Sequence, residues 1–508
     1  GRMSKRGGYF VDGMMLLDII NGPALLAILV GTFIGMLIGA LPGLGASIAI
    51  VLLLPFSYSL DPLVAILLLL AAYQGAEYGG SISSIVLGIP GTGGAVVTML
   101  DGRPYALNHG PGRALGYSLY ASTIGGLIGG FALIFLTFPL MKFALKLSEP
   151  EFFLLGSLAL IAVGSLSTDN MIKGLIFAAL GLLAGTVGMD TFTGILRFNF
   201  NRPELMEGID IIALIIALFA IPEILNMINK GVTTQYTTDL SKVGIKLPIR
   251  EFRSTIKSTV TGSIIGTIIG IFPGLAAGSA TWFSYLITRK MSKSPKTFGK
   301  GNPEGIMAPE ASNNAAVGGA LIPMLALNIP GTPAIAIVVG ALLIHGIQPG
   351  PSMMARTPEL VYGIFYGYVL TCVAMFLLGL LVTNLFARIL TVRIYYLIPF
   401  LIILSLLGVY ASHNLSFHIW FAFLAGVAFF VLSKLDYSLP CFILGFVLGP
   451  IIEESLRRTL ILSQGSYLIF FERIYSVIIL LFILLIVIYA VYQKITANKS
   501  GTNQSIST

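Results

Sequence analysis

The stretch GALPGLGAS, residues 39–47, interrupts an apolar run that opens near Ala24 and resumes at Ile48. Proline has no amide proton and breaks the turn before it, and glycine takes conformations that other residues avoid. The stretch therefore predicts the end of one helix and the start of another. A run of this kind is long enough to cross a bilayer, which takes about 20 apolar residues. A backbone break at that depth strands amides and carbonyls in hydrocarbon at several kcal/mol each, unless they are buried in protein, line a wet cavity or hold a ligand.

The membrane setting follows from composition. Of 508 residues, 56% are hydrophobic and only 10% charged, too few polar side chains to cover a water-soluble globule. Apolar windows fall at 24–41, 62–76, 114–140, 152–166, 171–187, 209–228, 258–272, 316–344, 361–386, 394–410, 417–432, 439–452 and 474–492. They predict an all-α polytopic membrane protein of roughly ten to fourteen segments, some of them broken. The first segment is not followed by a small-residue cleavage site and a polar mature chain, so it is expected to be retained. The net charge of +8 gathers in loops, notably between Lys230 and Lys257 and between Arg289 and Lys300. Basic loops resist translocation, so these are expected on the cytoplasmic side, and nucleic acid is not an expected partner. Cys372 and Cys441 lie in separate windows without CxxC spacing and read as core residues.

The broken run has a counterpart. GMLIGALPGLGAS, residues 35–47, recurs as GTIIGIFPGLAAGS, residues 266–279. GGSISSIVLGIPGTGG, residues 79–94, recurs as GGALIPMLALNIPGTPA, residues 318–334. More weakly, Asp169-Asn170 corresponds to His413-Asn414, and Asp190 to Asp436. The offsets grow from 231 to 246 along the chain, which predicts one duplication with small insertions. Residues 1–229 form the first repeat, 230–257 a basic connecting loop, 258–492 the second repeat and 493–508 a polar C-terminal tail. Inverted repeats are the expected arrangement, although the positions of the basic residues leave the sense of the inversion open.

Four breaks, at Pro42, Pro90, Pro273 and Pro330, thus occupy paired positions. Paired interruptions in two related halves point to the central site of a secondary transporter, where exposed half-helix ends bind substrate and ions. A single such break would as readily serve packing or kinking; two kinds, each present twice, argue against that. No Lys or Arg lies near a break except Arg103, expected in a loop with Asp101 and His109. An anion would then be held by helix N-termini, whose free amides carry about half a positive charge, by nearby hydroxyls and amides, and by co-bound cations. The substrate-site candidates are Pro42, Gly43, Gly45, Ser47, Ser81, Pro90, Gly91, Thr92, Gly274, Ser279, Asn313, Asn314, Pro330, Gly331 and Thr332. For Ser47, Thr92, Ser279 and Thr332 the alternative is simple helix capping. Asn313 and Asn314 could coordinate sodium through oxygen and a carboxylate through nitrogen. Glu304 and Glu310 sit just upstream of them. Glu77, a carboxylate in an apolar surround, joins Asn313 and Asn314 as an ion-coupling candidate, with a structural pairing or an interfacial position as its alternative.

An enzyme is not expected. No HExxH or GxSxG occurs, and His109, His345, His413 and His418 form no recognisable pairing with a nucleophile. His345 reads as a hydrogen-bonded residue at a helix end. A stand-alone ion-coupled carrier or sodium/proton antiporter is the main alternative, although antiporters carry buried Asp pairs or a Lys at the crossing.

These motifs, together with YGGSI, DGRP followed by GRALG, GNPEGIMAPEASNNAAVGGALIP and GALLIHGIQPGP, resemble the large membrane subunit of the tripartite tricarboxylate transporters (TctA-type). The specific strings cover about residues 30–390. The resemblance implies a permease of the bacterial inner membrane that works with a small membrane subunit of about four helices. It further implies a periplasmic solute-binding protein delivering an organic carboxylate, with uptake driven by sodium or protons and no cofactor. The first-half IPGTGG lacks the proline of second-half IPGTPA, so the two halves are not expected to play equal roles. Elevator-type alternating access, with one bundle carrying the breaks past a scaffold, is the expected mechanism.

Overall fold

A computed structural model describes residues 20–166, 171–230, 245, 249–275, 277–389 and 397–488. Among them the chain is helical but for one small hairpin, Gly188–Met189 paired antiparallel with Leu196–Arg197. The first helices are α1 (Gly22–Ala40), α2 (Gly45–Ser57), α3 (Pro62–Leu87), α4 (Ala95–His109), α5 (Pro111–Ala144), α6 (Glu149–Leu166) and α7 (Met171–Ala184). After the hairpin come α8 (Ile211–Ile215), a π-helical stretch (Ile216–Ala220) and α9 (Ile221–Lys230). Next are α10 (Ile249–Ile271), α11 (Ala277–Met291), α12 (Pro303–Leu327), α13 (Pro333–Ile344), α14 (Met353–Arg356) and α15 (Pro358–Ile389). The series ends with α16 (Leu397–His413), α17 (Ser416–Lys434), α18 (Leu439–Leu462), α19 (Ile469–Glu472) and α20 (Ile474–Ile488). Among the described residues seven helices are long and apolar enough to cross a membrane, and five shorter apolar ones accompany them. The protein is a polytopic all-α membrane protein.

Local chemistry explains the boundaries that matter. Asn21, Asp61 and Asn302 each cap a helix by accepting a backbone amide, and proline occupies the first turn behind each cap. Gly88 and Asn328, both with left-handed backbone (φ 72° and 56°), end α3 and α12. Glycine and asparagine tolerate that conformation best. Pro42, Pro90, Pro273 and Pro330 all lie in the non-helical segments that follow α1, α3, α10 and α12. Pro222, two residues past the π-helical stretch, offers no amide to the Leu218 carbonyl within it, which accounts for the altered hydrogen-bond register there.

Two helix pairs are packed backbone to backbone. A Cβ on Gly31, Gly35 or Gly39 of α1 would stand 2.3, 2.2 and 2.2 Å from the carbonyl oxygens of Leu68, Ala72 and Ala76 on α3. A Cβ on Gly262, Gly266 or Gly270 of α10 would stand 2.2, 2.2 and 2.4 Å from those of Ala308, Ser312 and Ala316 on α12. Within a bilayer, helices gain little hydrophobic energy from one another, and such small-residue stripes supply the close van der Waals contact instead. Gly43 and Gly274 share φ 86°, so the turn after each ridge has the same form. Gly125 and Gly129 of α5 lie equally close to Ala311 and Ala315 of α12.

Two expectations are corrected. Asp101, Arg103 and His109 are not in a loop but in α4. Tertiary bonding overrides the turn-like DGRP sequence: the Asp101 carboxylate accepts the amides of Gly299, Gly301 and Asn302 at 2.7–2.9 Å and the Tyr285 hydroxyl at 2.9 Å. Of the basic connecting segment, residues 249–257 belong to α10 rather than to a loop. Asp169-Asn170 lies outside the described residues.

Candidate functional site

The four breaks converge. One cavity of about 600 Å³ is lined by Gly45 to Ile48 at the start of α2, by Thr92 to Gly94 before α4, by Ala277 and Gly278 of α11, and by Thr332 to Ala334 at the start of α13. The N-termini of these four helices therefore meet at one space, with that of α18 beside them at Ser438 to Pro440, each presenting amides that lack an intrahelical partner. The unwound segments also hold one another. The Gly45 amide donates to the Gly91 carbonyl at 3.1 Å, and the Gly274 amide donates to the Gly331 carbonyl at 3.2 Å. Gly91 also donates to the Gly80 carbonyl at 3.2 Å. Break-to-break bonding of this kind satisfies backbone groups that hydrocarbon would leave bare.

The predicted residues divide into a wall and a backing. Gly45, Ser47, Glu77, Thr92 and Thr332 line the cavity. Pro42, Gly43, Pro90, Gly91, Gly274, Pro330 and Gly331 form the turns behind it, and Ser279 lies in the first turn of α11 beside Gly278. Ser81 is fully buried away from the wall and donates to Glu310 at 2.5 Å. Asn314 also stands behind, its amide donating to the Gln74 side-chain oxygen at 2.8 Å. Asn313 of α12 stands directly behind the wall residue Gly94: a Cβ on Gly94 would lie 1.9 Å from its Oδ1. Thr332 caps α13 by accepting the Ile335 amide at 3.2 Å and shares a 3.4 Å hydrogen bond with the Tyr73 hydroxyl, so the capping alternative holds for this residue. His345 ends α13 with its Nε2 3.2 Å from the Ser57 carbonyl.

The cavity's polar character is unusual in what it lacks. Among the described residues neither Lys nor Arg lines it, and two carboxylates do, Glu77 and Glu223. Arg103 bonds instead to the Val86 carbonyl. Three buried oxygens at one corner, Glu77 Oε2, Thr92 Oγ1 and Asn313 Oδ1, receive no hydrogen bond from the protein. Burying an unpaired polar atom costs about 1–3 kcal/mol, and Thr92 and Asn313 both interact with the Glu77 carboxylate.

Sequence reasoning missed Tyr73, Glu223, Asn226 and the Tyr437 to Pro440 segment, all on the wall. Glu223 and Asn226 were detectable, since both are polar residues in the 209–228 apolar window. A second cavity of about 620 Å³, between α5 and α15, is lined by Phe131, Phe135, Phe138, Tyr362, Phe365 and Tyr366 with Lys142 at its edge. It has no comparable polar set.

Broken helices meeting at one cavity within a polytopic helical protein are the architecture of a membrane transporter. The chain belongs to the tripartite tricarboxylate transporter TctA family, which it matches over residues 25–444. It is thus the large subunit of a tripartite tricarboxylate transporter. It is similar to an uncharacterized 52.8 kDa protein from the TAR-I ttuC' 3' region of Agrobacterium vitis, 33% identical over 447 residues that cover 87% of this chain and 88% of that protein. It is also similar to an uncharacterized protein from the TAR-II ttuC' 3' region of the same organism, 36% identical over 191 residues, 38% of this chain and 79% of that protein. No solved structure matches.

Proposed function

We propose that this subunit carries the translocation pathway of a binding-protein-dependent secondary transporter in a bacterial inner membrane. It imports an organic dicarboxylate or tricarboxylate together with a cation. A periplasmic solute-binding protein delivers the substrate, and a small membrane subunit of about four helices completes the complex. The observation that carries the reading is the cavity ringed by helix N-termini and, among the described residues, free of basic side chains. An anion seated there is held by amide dipoles and hydroxyls, while the Glu77 carboxylate on the wall would repel it unless a cation enters as well. Transport of one charge then requires the other.

Sodium suits the orphaned oxygens better than a proton does. A proton on Glu77 would satisfy one or two acceptors. A sodium ion takes five or six oxygens, drawn from carboxylate, carboxamide, hydroxyl and broken-helix carbonyl groups. Glu77, Thr92 and Asn313 are the side chains we assign to it, the Asn313 amide being oriented by donation to the Glu77 carbonyl at 3.4 Å.

The two sets of breaks belong to inverted repeats that move as one bundle past the remaining helices. Supporting this reading, Gln74 and Asn314 occupy matching positions 240 residues apart and bond to each other. A residue that touches its own counterpart lies on a twofold axis, as at an isologous interface. The test is uptake in cells expressing all three components. Asn313→Ala and Thr332→Ala should each lower carboxylate uptake at least tenfold at unchanged surface level, and deleting the binding protein should abolish it. Full uptake without the binding protein would favour a stand-alone carrier.

A further inference from the structure

Glu310 sits in the middle of α12 with no exposed surface. Four hydroxyls donate to its carboxylate: Ser81 of α3 at 2.5 Å, Thr98 of α4, Ser118 of α5 at 2.8 Å and Ser122 of α5 at 2.9 Å. A carboxylate offers about four acceptor positions, so these donors fill it. These four donors favour its ionised form against the cost of burial and leave no free acceptor position for a metal ion. The group is held by three helices other than its own.

The fold does not require it. The matching position on α3, 240 residues earlier, is Leu70, in a helix of the same length class and the same glycine-packed surroundings. An isolated buried charge is costly to install, so one half of the molecule carries a cost that the other avoids.

Its neighbours indicate the use. The α3–α12 interface is a ladder of polar pairs. Gln74 meets Asn314, Glu77 receives Asn313 on its carbonyl at 3.4 Å, and Ser81 meets Glu310. Glu310 thus stands one helical turn from Asn313 and on the same face, directly behind the three oxygens that lack donors. The hydroxyl shell prevents it from taking the ion, but its field extends through a water-poor interior where charges act strongly over such distances.

We propose that Glu310 is a positioning charge that raises the affinity of the Glu77, Thr92 and Asn313 oxygens for a monovalent cation without touching it. This rests on the cation reading given above. The purified full-length protein is titrated with sodium chloride at constant ionic strength, choline chloride making up the balance, while its thermal unfolding midpoint is followed. Ligand binding to the folded state raises the midpoint with a concentration dependence set by affinity.

In E310Q, which keeps an acceptor and the side-chain size, the half-effective sodium concentration should rise about tenfold. E310D should return it toward the wild-type value. S118A removes one hydroxyl and keeps the charge, so it should leave that concentration nearly unchanged. A wild-type sodium response abolished by E77Q but unaffected by E310Q would overturn this proposal and leave the cation site standing. A tenfold weakening in S118A would overturn it even if E310Q failed to fold, because hydroxyl packing and not charge would then set affinity. Absence of any sodium response in the wild type would remove the cation site itself, and this inference with it.

Discussion

The side-chain oxygen of Asn313 occupies the space that a side chain at Gly94 would need: a Cβ there would lie 1.9 Å from Oδ1 and 2.5 Å from Cγ. Asn313 belongs to α12 and Gly94 to the turn before α4, so this contact joins a break of the first half to a helix of the second. Glycine at 94 is what lets the carboxamide pack directly behind the cavity wall.

Gly94→Ala should therefore displace Asn313 and lower substrate uptake by more than tenfold, with the protein still present in the membrane. The control lies one residue away. A Cβ on Gly93 meets nothing within 4 Å, so Gly93→Ala should retain most of the uptake. Equal losses in the two variants would show that backbone freedom of the turn, not access of Asn313, is what matters.

The glycine ridges make a second prediction. Gly35→Ala and Gly266→Ala each force a methyl group to within 2.2 Å of a helix backbone that cannot rotate away. Overpacking of this kind costs about 1–3 kcal/mol, and the two positions should cost alike because their surroundings match. Thermal unfolding in detergent would show comparable drops for both, while Gly22→Ala, with open space around it, should leave the midpoint where it was.

The breaks were legible because proline and glycine act locally, whatever the fold around them. Their convergence followed from the pairing of Pro42 with Pro273 and of Pro90 with Pro330, since stranded backbone groups in a bilayer need shared cover. The Glu310 cluster was not legible: its four hydroxyls come from three helices, and no spacing links Ser81, Thr98, Ser118 and Ser122 to residue 310. Asp101 shows the opposite failure. DGRP has the composition of a turn, yet the Gly299 to Asn302 amides and the Tyr285 hydroxyl bond that carboxylate and hold the segment within a helix. Local propensity lost to a tertiary contact some 200 residues away in the chain.

Outside the membrane segments, Asp190 anchors the hairpin between α7 and α8. The Thr193 hydroxyl and the Phe192 amide, with the Arg457 and Arg197 guanidinium groups beside them, hold its carboxyl well below the usual carboxylate range. A lowered folded-state value means that its stabilising effect is complete above the ordinary carboxylate range and fades as pH falls through the folded-state value. Limited proteolysis of the hairpin should accordingly be slow at neutral pH and accelerate only in strong acid. Asp190→Asn should make cleavage fast at neutral pH and nearly independent of pH. Wild-type and variant profiles that coincide would detach Asp190 from the hairpin's stability.

The bundle-and-scaffold motion can be tested where α2, which begins at a break, meets α16, which does not. A Cβ on Gly408 would lie 2.8 Å from Cβ and 2.2 Å from Cγ of Pro55, so the two backbones are close enough for a disulfide once the proline ring is gone, since bridged Cβ atoms sit about 3.5–4.5 Å apart. If α2 travels with the breaks while α16 stays, oxidised Pro55→Cys/Gly408→Cys protein should lose uptake and regain it on reduction, with each single variant active under both conditions. If both helices belong to one rigid body, the bridge ties together parts that never separate, and uptake should survive oxidation. Uptake by the fully cross-linked protein would therefore remove α2 from the moving bundle and the elevator scheme in its present form.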